Sequence, residues 1–156
     1  MVFKEIEIVK EELIFVQKSF KENSDVIKFL SEELRERSFV KEGFCDAVLE
    51  REKKYPTGLY LGKINVAIPH ADIKYVNKPG MAVATLQKPI SFRKMDDPTL
   101  SIPVHIVFLL ALVDPNEYLK FLSNLTRSFN DESFISLIYS LNDTERFVES
   151  IKRVIK

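Results

Sequence analysis

The sequence predicts an α/β domain, a sheet covered on both faces by helices, and three observations carry that expectation. Apolar runs of strand length stand at 64–68, 81–86 and 104–112. Around them apolar residues recur three and four apart, the spacing of amphipathic helices. The last run is apolar on both faces except for His105, the pattern of a strand buried between helical layers.

In chain order, Leu13, Ile14, Phe15 and Val16 make a first short strand. Val26, Phe29, Leu30 and Leu34 follow at helical spacing, behind Asn23 and Ser24, either of which can cap a first helix. Phe44, Ala47, Val48 and Arg51 set a second helix, which should end near Tyr55 because Pro56 disfavours the helical conformation before it. Tyr55, Pro56, Thr57 and Gly58 read as a turn. Ile64, Val66 and Ile68 then alternate with Lys63, Asn65 and Ala67 and stop at Pro69, so a strand delivers His70 at its end. Two longer strands come next, at 81–86 and 104–112. Asp114, Pro115 and Glu117 supply a cap, a first-turn proline and a capping-box acid ahead of Leu119, Leu122, Leu125 and Phe129. Two more helices are predicted, over 131–141 and from a cap at Asn142, with Glu145 in its first turn, through Phe147, Ile151 and Val154.

Composition narrows the function classes. With 46% hydrophobic and 29% charged residues in 156, the chain has the balance of one globular domain, 1–156, able to bury a core without disulfides or metal. Basic and acidic residues balance at 23 each without a long block of either sign, so no nucleic-acid partner is expected. The first ten residues lack a continuous apolar stretch, and the longest apolar run, 106–113, is too short for a membrane helix, so a cytoplasmic location is expected. A single cysteine, Cys45, and two histidines offer poor material for zinc, and no cofactor is expected. Cys45, on a helical pattern between Phe44 and Ala47, reads as a buried structural thiol.

Two residues hold the chemistry. An imidazole keeps one nitrogen unprotonated near neutral pH and is a plausible phosphoryl carrier. His70 qualifies because Pro69 stiffens the backbone that aims it, although a histidine behind a proline is by itself more often a structural residue. Phosphoryl transfer needs position and cationic or N–H donors around the phosphoryl oxygens. Arg51, at the end of the second helix, is the best candidate donor; its other reading is a solvated member of the charged run 50–54.

The stretches REKKYPTGL (51–59), VAIPHAD (66–72), GMAVATLQKPISF (80–92), VHIVFLLALVDPNEYL (104–119) and NDESF (130–134) resemble the IIA components of the fructose–mannitol class of the bacterial sugar phosphotransferase system. The resemblance implies a three-layer α/β/α sandwich around a mixed, mainly parallel sheet. It further implies that the phosphocarrier HPr phosphorylates His70, that the group passes to a cysteine of a IIB component associated with a membrane IIC, and that Arg51 stabilises the phosphoryl. It places the phosphoryl on Nε2, with Nδ1 held by a backbone acceptor. A nitrogen-type relative whose phosphorylation state controls partner proteins is the alternative role. Mannitol-type and fructose-type members carry a second histidine where this chain has Tyr118, which points to the galactitol-type branch. Tyr118 can donate to the phosphoryl or pack as a wall residue. Thr57 can offer a hydroxyl or only close its turn. His105 reads as a hydrogen-bonded structural histidine. Asp72, Asp96 and Asp97 are acids that could steer a basic donor, with solvated loop charge as the default.

Overall fold

Alternation along two long strands builds the layers of this protein. The computed structural model describes residues 8–155, apart from the side chains of Pro115 and Glu117. The capping acid expected of Glu117 and most of the N-terminal segment read for a leader therefore lie outside the described residues. The chain runs β1 (Ile14–Lys18), α1 (Asn23–Glu36), α2 (Phe44–Lys54), β2 (Gly58–Leu59), β3 (Val66–Ala67), β4 (Gly80–Arg93), β5 (Ser101–Ala111), α3 (Pro115–Ser128), α4 (Glu132–Ser140) and α5 (Thr144–Val154). Strand order in the five-stranded sheet is β1-β4-β5-β3-β2.

Successive side chains of a strand point to opposite faces, and here each face meets its own set of helices. Ala82, Ala84 and Leu86 of β4 and Val107, Leu109 and Ala111 of β5 pack with Val26, Ile27, Leu30 and Leu34 of α1 and Phe44 and Val48 of α2. Met81 and Val83, with Ile106, Phe108 and Leu110, pack instead with Phe121 and Leu125 of α3, Ile135 and Ile138 of α4 and Phe147 and Ile151 of α5. Three layers result. The sheet is mixed: β1–β4 and β3–β5 are parallel, whereas β2–β3 and β4–β5 are antiparallel. Parallel pairing does not predominate, since the longest ladder, β4–β5, is antiparallel. The segment 94–100 turns the chain back without the crossover that a parallel neighbour needs.

Several element boundaries differ from the expected ones for local reasons. Glu22, not Asn23 or Ser24, caps α1, through a reciprocal capping box with Asp25. Asn23 is already helical and donates its amide to the Ser91 carbonyl at 3.3 Å. Asp143 rather than Asn142 caps α5, accepting from the Glu145 and Arg146 N–H groups. Asn142 accepts instead from Gln17 Nε2 at 2.6 Å. Asp114 caps α3 as expected, and Asp131, expected as the first residue of the next helix, is the cap of α4.

The strand expected over 64–68 contracts to β3, and Asn65, an outward polar position in the alternation, is fully buried. Its Oδ1 accepts from Leu61 N–H at 2.7 Å and Gly62 N–H at 3.0 Å, while Nδ2 donates to the Pro103 carbonyl at 2.9 Å. Satisfying those bonds makes the burial tolerable. Its own N–H donates to His105 Nδ1 at 3.1 Å, and the His105 ring stands edge-on to Tyr139. His105 is thus the hydrogen-bonded structural histidine that was expected. Cys45 is half-buried rather than buried, and partial burial still pushes its thiol pKa up, away from thiolate chemistry. Among the described residues no helix is long and apolar enough to cross a membrane.

Candidate functional site

His70 stands where the chain leaves the sheet. Beyond β3 the backbone stays beside β5: Leu110 N–H donates to the Pro69 carbonyl at 3.0 Å, and His70 forms a parallel bridge with Leu110. This is the carboxyl end of the parallel β3–β5 pair, the edge of an α/β sheet at which binding crevices form. Pro69 is buried there at no hydrogen-bonding cost, since it has no N–H to satisfy.

The ring itself has a defined tautomer. Nδ1 of His70 lies 2.9 Å from the Ile68 carbonyl oxygen. A carbonyl can only accept, so Nδ1 carries the hydrogen and Nε2 keeps the lone pair. Burial lowers the pKa of His70 from its usual 6.5; the Ile68 bond opposes that shift, and the Arg51 charge reinforces it. At neutral pH the imidazole is therefore uncharged, with an unprotonated, nucleophilic Nε2.

Arg51 is brought to the same place from the last turn of α2, where Tyr55 N–H donates to its carbonyl at 2.7 Å. Its side chain is exposed, not on the packed face that spacing from Phe44 and Ala47 suggested. The guanidinium lies 5.6 Å from the centre of the Tyr55 ring and its charge is felt at His70. Among the described residues no carboxylate forms an ion pair with it. The fork is available to an anion held at Nε2.

The other sequence candidates fall away from direct chemistry. Thr57 is buried, and both its N–H and its hydroxyl donate to the Glu52 carboxylate, each at 2.8 Å. Its hydroxyl is therefore committed to Glu52. Gly58 follows because a Cβ there would come within 2.6 Å of the Arg93 carbonyl oxygen. Tyr118 is 1% exposed and packs in the core beneath β5 with Phe108 and Phe121. Asp72 accepts from Lys74 N–H in a short turn, Asp96 pairs with Lys94 at 3.4 Å, and Asp97 accepts from Thr99. These remain loop carboxylates.

One residue that sequence reading passed over stands out. Glu52 was grouped with the solvated run 50–54, yet it is 8% exposed. Phe44, Val48 and Glu52, four residues apart, form one buried stripe, and that spacing was the available signal. Burial drives its pKa from the usual 4.5 to about 7, against the two Thr57 bonds, which lower it. The folded protein thus holds a proton that the unfolded chain has released between pH 4.5 and 7. Its contribution to stability is complete below about pH 4.5 and is lost as pH rises through 7. Glu52→Gln should remove that dependence: thermal denaturation across pH 5 to 8 should show the wild type losing about 2–3 kcal/mol relative to the variant. Parallel stability curves would contradict a buried, titrating Glu52.

The model of the family described as "Phosphoenolpyruvate-dependent sugar phosphotransferase system, EIIA 2" matches residues 7–154. The chain belongs to this family. A "PTS system mannitol-specific EIICBA component" of Pasteurella multocida is 27% identical over 148 residues, covering 93% of this chain and 23% of that protein. A "PTS system galactitol-specific EIIA component" of Escherichia coli is 24% identical over 127 residues, covering 81% of this chain and 84% of the relative. This EIIA chain thus spans about a quarter of the first relative and most of the second. Its fold is shared with the mannitol IIA of E. coli solved in complex with phosphorylated IIB, at a TM-score of 0.72 and 24% identity, over 91% of this chain and 95% of that one. Membership makes the protein a phosphotransfer component.

Proposed function

We propose that this EIIA chain is a phosphohistidine carrier that takes a phosphoryl group from HPr on Nε2 of His70 and passes it to a cysteine of a IIB component during uptake of a hexitol. The observation that supports this most is the Nδ1–H bond to Ile68 O, which leaves Nε2 with its lone pair at the end of a stiff segment, within the field of Arg51.

The steps follow from that arrangement. Nε2 attacks phosphorus as the N–P bond of the donor's phosphohistidine breaks; no proton has to leave Nε2, because the ring arrives neutral. Nδ1–H stays on Ile68 O, and the positive charge that develops on the ring is spread toward that carbonyl. Arg51 holds phosphoryl oxygens and balances charge in a loose transition state, where position and electrostatics supply most of the catalysis. In the second half the N–P bond breaks, an S–P bond forms on the IIB thiolate, and His70 returns to its starting tautomer. The mannitol IIA relative solved with phosphorylated IIB supports this class of acceptor. Mannitol and galactitol, named for the two relatives, are both hexitols, which supports that substrate class. The sugar is never bound here, and the working location is the cytoplasm.

Incubation with the general phosphotransferase proteins and labelled phosphoenolpyruvate tests the reading. The expected product is one acid-labile, base-stable label per chain that is discharged by a hexitol-type IIB. Absence of label with an active donor system would overturn the proposal.

A further inference from the structure

A continuous line of hydrogen bonds joins Glu52 to the reacting ring. Glu52 Oε2 and Oε1 accept from the N–H and hydroxyl of Thr57, both at 2.8 Å. The Thr57 carbonyl accepts from Ile68 N–H at 3.4 Å. The Ile68 carbonyl in turn accepts from Nδ1 of His70 at 2.9 Å. Thr57 and Ile68 extend the antiparallel register Gly58↔Ala67 and Leu59↔Val66 by one step. β2 has only two residues, so its end has little ladder of its own to hold it.

We propose that Glu52 is a positioning residue for His70, clamping Thr57 so that the Ile68 carbonyl stays fixed as the acceptor for Nδ1–H. Three facts support this. Glu52 and Thr57 are both buried, which limits the access of water to their bonds. Both carboxylate oxygens serve one residue, which fixes Thr57 in orientation as well as position. The bond between Thr57 and Ile68 is long, so it depends on the flanking clamp to stay made. The nearby charges are Lys53 and Arg93, which border the same cleft of about 200 Å³ as Glu52, and among the described residues neither is ion-paired to it. The carboxylate is therefore directed at Thr57 alone. Loosening it frees the Ile68 carbonyl, and the imidazole then samples the tautomer with hydrogen on Nε2, which cannot attack phosphorus.

This proposal rests on His70 as the phosphoryl acceptor, but its first readout does not. Long-range ¹⁵N–¹H spectra of the imidazoles report the tautomer directly. In the wild type, His70 should show hydrogen on Nδ1, while His105, whose Nδ1 accepts from Asn65 N–H, shows the opposite and serves as an internal control. In Glu52→Gln, compared with the wild type above pH 7 where Glu52 is ionised, an amide presents one acceptor and one donor to two donors, so His70 should become a mixture of tautomers with His105 unmoved. Phosphoryl uptake per folded molecule should fall about tenfold. Thr57→Val keeps the N–H bond and loses only the hydroxyl, so it should fall between the two. A Glu52→Gln protein of lower stability but wild-type His70 signals and uptake would reduce Glu52 to a structural residue and overturn the proposal. Wild-type His70 signals in Thr57→Val would do the same if Glu52→Gln does not fold. Failure of the wild type to take label would sink the carrier reading alone, since the tautomer experiment stands apart from it.

Discussion

His70→Ala protein should fold as the wild type does and take up no phosphoryl group. Truncation removes a partly exposed ring and one bond, that from Nδ1 to the Ile68 carbonyl. The main-chain bond from Leu110 N–H to Pro69 O, which holds the segment against β5, is untouched. The loss of stability should stay at about 1 kcal/mol, the net worth of one hydrogen bond, and thermal denaturation will show it. Activity should disappear entirely, because no other group in the described residues can substitute. The lone pair of His105 faces Asn65 N–H, and the thiol of Cys45 is held protonated by burial. Labelled phosphoenolpyruvate with the general donor proteins is the measurement. Label retained on His70→Ala would place the acceptor elsewhere and would remove the meaning given to the Ile68 bond.

The difference between what the sequence disclosed and what it hid has a physical pattern. Elements fixed by many apolar residues were legible: α1 from Val26, Leu30 and Leu34, β5 from its unbroken apolar run, and α3 from Asp114. His70 and Arg51 were legible as a pair only through the motifs around them, since neither residue type is rare or diagnostic alone. Features fixed by individual hydrogen bonds were hidden. Asn65 looked like an outward strand position because alternation carries no information about a side chain that captures three backbone partners. Glu52 looked solvated because charge is ordinarily a guide to exposure. Thr57 stayed open between a hydroxyl for ligand and a turn residue because its acceptor, Glu52, read as solvated. The two caps missed by one residue, Glu22 and Asp143, have the same origin: neighbouring polar residues compete, and a tertiary bond from Asn23 or to Asn142 decides between them.

Arg51→Ala should leave the fold intact and slow phosphoryl transfer on the order of 10²–10³-fold, or about 2–4 kcal/mol of transition-state stabilisation. The side chain is exposed and makes no ion pair among the described residues; its loss of a stacking contact with Tyr55 should cost less than about 1 kcal/mol of stability. Charge and geometry can be separated by a second variant. Arg51→Lys keeps the charge but loses the planar fork that grips two oxygens, so it should recover only part of the rate. A further readout needs no donor protein. The Arg51 charge helps to lower the His70 pKa, so in Arg51→Ala the His70 titration followed by NMR should move to higher pH, while Arg51→Lys should stay close to the wild type. The two measurements lean on each other. A slow Arg51→Ala with a raised His70 pKa identifies a cation close enough to act on the ring and on what the ring carries. A wild-type rate with an unmoved titration would return Arg51 to the solvated run and remove it from the site.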